Sequence, residues 1–379
     1  MPQQQSRTLP ISVIFPTYNC GDRILKHIKA SADWLQHVDE LIIVDSYSKD
    51  GTIDIITEAL AGHDFQILQH PRGLYRSWNH GVNAARNEYI YFSTIGDIIS
   101  RDGLKKLFDA AKTLKADLVV SPPSFISEDS ATPLPEAEWP IHTLIREFKI
   151  QQVTTLPPRL IYDCVLIFME QALLGSSASN LYRRDTLIQH PFSDDFFSAG
   201  DSQWLINNNF KVKLAIVPEP VATFLFHQKD WSFDRSDSQD GQWLRRTFAY
   251  CAFNMSLDHS PTFHPEVVRL IREIIKFAIG EPERAPQQKI LSVKSVTQQI
   301  EQIDPDTEKY NFTIQAMLTR SNYLILRQTD RRYKESLGIL RFMWPRALIN
   351  RKHKRQSKKD LSGLLHYIKR SWANTDIEV

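Results

Sequence analysis

Short apolar runs recur along the first third of the chain, at Ile11–Phe15, Leu41–Val44, Phe65–Leu68, Tyr89–Ser93 and Leu118–Ser121. They are rich in β-branched and aromatic residues and too short for buried helices, so they predict strands of a covered sheet. Between them lie segments with helical spacing: an amphipathic stretch ending at Leu35, Thr52–Leu60, Trp78–Ala85 and Leu104–Leu114. Strands that alternate with helices in this way build βαβ units and a parallel sheet.

The alternation then changes character. Residues 122–140, PPSFISEDSATPLPEAEWP, are Pro-rich and acidic and read as an excursion loop. After it come a helical SQWLINNNF and two further strand candidates, Lys211–Val217 and Val221–Phe226. From residue 241 helical patterns dominate, as in EVVRLIREIIKFAI, with apolar residues at i, i+3, i+4 and i+7. The expected organisation is therefore an α/β domain over residues 1–240 and a helical C-terminal extension over residues 241–379.

Composition adds mainly exclusions. At 379 residues, 42% hydrophobic and 24% charged, the chain has ordinary globular make-up and enough length for a sizeable core. The net charge of +2 points to no polyanionic partner, and the strand–helix half has no basic track suited to nucleic acid. Cys20, Cys164 and Cys251 are widely spaced, which fits neither a disulfide framework nor a zinc site. MPQQQSRTLP lacks a signal-peptide core and no run of about 18 apolar residues occurs, so a cytoplasmic location is expected.

Three strand exits carry the candidate chemistry. VIFPTYN runs from Val13 into a loop with Pro16, Thr17 and the ring of Tyr18. VDSYSKDGT places Asp45 and Ser46 directly after the second strand. YIYFSTIGD leaves one carboxylate, Asp97, beyond the fourth. Singly, each is ordinary turn and cap chemistry. At neighbouring exits of one parallel sheet, an aromatic face and a carboxylate suit a nucleoside, since ligands gather at that edge. A GxGxxG dinucleotide loop and a GxxxxGK phosphate loop are both missing.

These stretches resemble the inverting family 2 glycosyltransferases, which have the GT-A nucleotide-sugar-binding fold. That family typically reads PxYN after its first strand and DDGSxDGT after its second. It continues with a Gly, Asn and Ala pattern into GEYI and a metal-binding DXD element, and later an ED pair supplies the catalytic base. Here the third piece is RGLYRSWNHGVNAARNEYIYFSTIGD, with Gly73, Asn79, Gly81 and Ala85 at matching spacing, and the fourth is FSDDFFSAGD, ending at Asp201. The likeness covers residues 10–230. It departs from the family at Ser46, where the second Asp belongs, at Thr94-Ile95-Gly96-Asp97, which keeps one carboxylate of the DXD element, and at Gly200, which replaces the Glu before Asp201.

What the resemblance implies is transfer of a sugar from a nucleotide diphosphate, a UDP-sugar by expectation, to a hydroxyl with inversion, in cell-surface polysaccharide or glycolipid assembly. Pro16, Thr17, Tyr18, Asp45 and Ser46 would hold the nucleoside, and Arg72, Gly73 and Arg76 the donor side. Asp97 would meet Mn2+ or Mg2+, or the diphosphate itself, with His227 as a second metal ligand. Alternatively Arg72 and Arg76 neutralise the diphosphate without metal. Asp201, at the start of a helix, would be the general base. The rival reading is a degenerate relative that binds a nucleotide sugar or a partner protein without turnover. Residues 227–241 have the composition of a lid or an idle surface loop. The acceptor would be a carbohydrate or lipid-linked molecule. The basic tail at 342–370 suits an anionic membrane surface, or equally a solvated helix face.

Overall fold

The computed structural model describes residues 8–127, 132–134, 139–168, 174, 176–196, 200–226, 249–254, 257–259, 262–278, 293–307, 310 and 314. The strand and helix alternation is present: β1 (Leu9–Thr17), α1 (Gly21–Leu35), β2 (Val38–Asp45), α2 (Thr52–Ala59), β3 (Gln66–Gln69), α3 (Leu74–Ala84) and β4 (Tyr89–Phe92). Then follow β5 (Ile98–Ile99), α4 (Arg101–Leu114), β6 (Leu118–Val120), β7 (Ser124–Ser127), α5 (Pro140–Phe148), β8 (Thr154–Thr155) and α6 (Pro158–Phe168). A 3-10 turn at Ser177–Ser179 leads into β9 (Asn180–Arg183), α7 (Arg184–Gln189), α8 (Gly200–Asn208), β10 (Leu214–Ile216) and β11 (Ala222–Phe226). Two helices lie further on, α9 (Pro265–Ala278) and α10 (Val293–Glu301).

The main sheet has the order β3-β2-β1-β4-β9-β6-β10-β8. β3, β2, β1 and β4 are mutually parallel, as are β6 and β10, while β9 runs antiparallel between β4 and β6 and β8 pairs antiparallel with β10. Register decides what this does for the site. Thr17 pairs with Asp45, Asp45 with Gln69, and Ile14 with Phe92, so the four parallel strands end at one edge. Because β9 is antiparallel, its first residue, Asn180, sits at that same edge beside Val120. The loops after β1, β2, β3 and β4 and the turn before β9 are thereby gathered together.

The excursion expected at 122–140 is only partly a loop. Its Ser124–Ser127 segment forms β7, which with β11 and β5 makes a small second sheet. Residues 128–131 and 135–138 are outside the described set.

Burial explains why these segments became strands. Ile11, Val13, Ile14, Phe15, Ile42, Ile43, Val44, Ile90 and Phe92 are all fully buried, so both faces of the central strands are covered, as a parallel sheet requires. α3 lies flush on β1 at Gly81, where a Cβ would fall 2.7 Å from Ile14 Cγ2. On α1, Ile24, His27, Ile28, Ser31, Trp34 and Leu35 make the inward stripe.

Contacts divide the described residues into two compact units, one of residues 8–161 and 171–226, the other of residues 162–168 and 249–314. The first holds both sheets. In the second, α9 buries Val267, Ile271 and Ile275, and the Phe263 and Tyr310 rings meet at 4.5 Å. Tyr310 also accepts from His264 N–H at 2.8 Å and donates to Asp304 at 2.7 Å. No helix among the described residues is long and apolar enough to cross a membrane.

Candidate active site

The loops after β1 and β2 are tied into one unit. Asp45 is fully buried, and its carboxylate accepts from Thr17 Oγ1 at 3.1 Å, Ser48 N–H at 2.9 Å and Ser48 Oγ at 2.5 Å. Ser48 Oγ accepts from Asn19 N–H, and Asn19 Oδ1 accepts from Lys49 N–H, each at 2.9 Å. Ser46 donates its N–H to Thr17 O and places its hydroxyl 3.2 Å from that of Ser77 on α3. Thr17, Asp45 and Ser46 thus set the shape of this loop pair, while Tyr18 keeps 40% of its surface exposed. The Arg72 guanidinium lies 4.4 Å from the centre of the Tyr18 ring, a cation–π contact between the first and third loops.

Tyr47 was not singled out by sequence reasoning. It stands where the DDGSxDGT pattern has glycine, adopts φ 56°, and leaves 51% of its surface exposed. The signal was available in the motif itself.

The loop after β4 is anchored at both ends. The Ser176 hydroxyl donates to Asp97 Oδ2, Leu225 N–H donates to Asp97 Oδ1 at 3.3 Å, and the Thr94 and Ser177 hydroxyls are hydrogen-bonded. Beneath it, His27 Nδ1 accepts from Gly96 N–H at 3.3 Å, so Nε2 carries the proton that reaches Ser93 Oγ at 2.9 Å. Burial holds the His27 imidazole down at about 4, keeping it neutral for that acceptor role.

On the other side of the edge, α8 begins at Gly200 and carries Asp201 in its first turn. Asp201 is partly buried, accepts from Ser202 N–H at 2.6 Å, and is hydrogen-bonded to the Tyr75 hydroxyl from α3. Burial raises its carboxyl to about 6, against those two hydrogen bonds, which favour the ionised form. The buried Tyr75 and Tyr182 hydroxyls are pushed up in turn, by burial first and then by Asp201. Two further contacts bind α3 to the segment before α8. Arg76 pairs with Asp194, and the Asn79 amide bonds Phe192 O at 2.8 Å and Phe192 N–H at 3.1 Å. Below them the Trp78 and Phe92 rings stack at 4.1 Å and Tyr75 stacks on Phe192 at 5.4 Å.

The described residues therefore place Pro16, Thr17 and Asp45 at the ends of β1 and β2, and Tyr18, Ser46, Arg72 and Gly73 in the loops after β1, β2 and β3. Arg76 and Asp201 stand on the α3–α8 side, and Asp97 lies in the loop after β4. His227 and the 227–241 segment lie outside the described residues.

An α/β sheet with nucleotide-type loops at one edge and a carboxylate-bearing helix beside them is the GT-A architecture. Residues 12–174 match the model of Glycosyl transferase family 2, so this stretch of the chain is similar to that family. Among curated proteins it is 28% identical over 115 residues to the poly(ribitol-phosphate) beta-N-acetylglucosaminyltransferase TarP of Staphylococcus aureus strain N315. That alignment takes in 29% of this chain and 35% of TarP. With the prophage-derived glycosyltransferase SunS of Bacillus subtilis strain 168 the identity is 31% over 122 residues, 28% of this chain and 27% of SunS. The chain thus spans about a third or less of these relatives. Among solved structures, Staphylococcus aureus TarS residues 1–349 with UDP-GlcNAc superposes with TM-score 0.51 at 12% identity, over 86% of this chain and 92% of that one. The same TarS fragment with UDP gives 0.50 at 12% identity, with the same coverage.

Proposed function

We propose that this protein is an inverting glycosyltransferase that moves a hexose-type sugar from a UDP-linked donor to a hydroxyl of a carbohydrate or lipid-linked acceptor. Asp201 carries the reading. A carboxylate in the first turn of a helix, poised near 6 and oriented by two donors, has the pKa and preorganisation of a general base. The acceptor hydroxyl gives its proton to Asp201 while its oxygen bonds to the anomeric carbon. The bond from that carbon to the diphosphate oxygen breaks on the opposite face, and UDP leaves with the electron pair. Inversion follows from this single displacement.

The other loops have supporting tasks. Tyr18 offers its exposed face to the base, Pro16 and Thr17 shape that loop, and Asp45 and Ser46 hold the second loop against it. Arg72, steadied on Tyr18, and Arg76, beside Gly73, supply cationic charge on the donor side. The donor assignment draws support from TarS, whose structures contain UDP and UDP-GlcNAc. A polymeric acceptor draws support from TarP, by its name a poly(ribitol-phosphate) beta-N-acetylglucosaminyltransferase.

A Mn2+ or Mg2+ ion, expected at Asp97 from the resemblance, fits the described residues poorly. Such ions want several oxygen ligands, whereas Asp97 is one carboxylate with both oxygens already hydrogen-bonded. No group of three His, Cys, Asp or Glu among the described residues is placed to hold a metal. No step is therefore routed through one.

The same engagement of Asp97 and Thr94 favours a second reading, a protein that binds UDP-sugar without turnover. One experiment separates them: binding and transfer with a panel of UDP-sugars, for wild type and Asp201→Asn, with and without EDTA. The proposed enzyme transfers sugar in EDTA, and Asp201→Asn keeps donor affinity while losing about 10²-fold or more in rate. Donor binding with no transfer or hydrolysis by wild type under any condition would establish the second reading.

A further inference from the structure

The base loop contains a departure from its family pattern that the structure explains. Position 200, where the family has Glu, is Gly200, and no side chain fits there. A Cβ on Gly200 would lie 2.5 Å from Tyr75 Cε2, 2.6 Å from Tyr75 Cδ2 and 2.8 Å from Ser193 O. Two of those three atoms belong to one ring, and that ring's hydroxyl is the group bonded to Asp201. The missing side chain at position 200 and the placement of the Tyr75 ring are thus two sides of one packing solution.

We infer that Tyr75 is the positioning residue for the Asp201 carboxylate, its ring filling the volume that a side chain at position 200 would take. The inference rests on the reading of Asp201 as the general base. Three observations carry it. Tyr75 is itself fixed: it is buried, stacked on Phe192 at 5.4 Å and edge-on to Trp78 at 5.1 Å, so its hydroxyl has little freedom to wander. Its neighbours on α3, Arg76 and Asn79, grip the same base loop at Asp194 and Phe192. The hydroxyl is a donor to the ionised carboxylate and so favours the form a base needs, opposing the burial that raises it.

In the family pattern the adjacent acid would add a second negative charge beside the base. Here a neutral phenol stands in its place. Its effect on the carboxylate has the opposite sign, because a donor stabilises negative charge and a neighbouring acid repels it. Among the described residues, the titratable groups that face Asp201 are Tyr75 from α3 and Tyr182 from β9, and both remain neutral at physiological pH because burial raises them. Tyr75 is the one hydrogen-bonded to it.

Tyr75→Phe keeps the ring, and hence the packing against Gly200 and Phe192, and removes only the hydroxyl. The carboxyl carbon of Asp201 can be followed by 13C NMR against pH, with its resonance assigned by its loss in Asp201→Asn. In wild type the midpoint should lie near 6. In Tyr75→Phe it should move to higher pH, and the acid limb of kcat/KM should follow. Transfer then falls roughly threefold or more at pH 6 while remaining within about twofold of wild type at pH 8.5. Gly200→Ala should displace the ring and reproduce the shift. An Asp201 midpoint that is the same in wild type and Tyr75→Phe overturns the inference, as does a Gly200→Ala variant that titrates like wild type. A midpoint that moves while the acid limb stays fixed leaves the contact standing and removes Asp201 as the base.

Discussion

Tyr47 bears the clearest local cost of any residue in the loops after β1 and β2. A β-carbon in the left-handed region is disfavoured by roughly 1–2 kcal/mol, and at φ 56° Tyr47 meets that cost with its ring half in solvent. The turn is held in place by Asp45 and Ser48, whose hydrogen bonds over-determine its backbone. Tyr47→Gly should relieve the strain, less the extra chain entropy of glycine, for a net gain of about 0.5–1 kcal/mol. Chemical denaturation of the two proteins measures it, and a destabilised Tyr47→Gly would show that the ring contributes packing. The residues of this loop were visible in the sequence, because strand exits rich in Asp, Ser and Gly are conspicuous. Their division of labour was not. Asp45, a carboxylate at a strand exit, is fully enclosed in the fold, and Tyr75 matters through partners more than a hundred residues away.

Among the elements, those that sequence reveals best are those covered on both sides. β1, β2 and β4 were legible because two buried faces demand unbroken apolar runs. β5 and β8, two residues each, and β7, set in a Pro-rich stretch, are too short to carry any period. α1 shows what a helical stripe conceals: His27 occupies a core position yet holds the Gly96 amide of the Asp97 loop. Its depressed pKa means that the unfolded chain binds a proton between pH 6.5 and about 4 that the folded chain refuses, so His27 adds stability as pH rises through that window. Asp201 does the reverse. Its raised pKa means the folded chain keeps a proton between 3.8 and about 6 that the unfolded chain loses, so its contribution is present below 3.8 and lost as pH rises through 6. In wild type the two slopes oppose one another. Asp201→Asn should be more stable than wild type at pH 8, by about 1–2 kcal/mol, and should lose stability more steeply from pH 6.5 to 4. Adding His27→Gln should flatten that steeper slope. Denaturant midpoints at pH 4, 6.5 and 8 decide it, and parallel curves for wild type and Asp201→Asn would count against both assignments.

At the scale of the whole molecule, the sheet-bearing unit holds every described candidate residue, and the chain continues well beyond it. The last part of that chain, outside the described residues, has the strongest charge bias in the sequence. Between Pro345 and Arg370 nine cations (Arg346, Arg351, Lys352, Lys354, Arg355, Lys358, Lys359, Lys369 and Arg370) face one acid, Asp360. Phe342, Met343, Trp344, Leu348 and Ile349 precede the cluster, and Leu361, Leu364, Leu365, Tyr367 and Ile368 accompany its end. Cations flanked by apolar and aromatic residues gain roughly 1 kcal/mol each near an anionic bilayer, and the apolar groups add burial at the interface. For an enzyme with a lipid-linked acceptor, such contact would turn a search in three dimensions into one along a surface. We therefore expect the full-length protein to sediment with vesicles of one-third phosphatidylglycerol at low salt, and to be released as salt rises and screening shortens the reach of each charge. Replacing Lys352, Lys354, Arg355, Lys358 and Lys359 with glutamine should abolish that binding while leaving transfer to a soluble acceptor unchanged. Equal sedimentation of the two proteins, or binding that ignores salt, would assign the cluster to a solvated face instead.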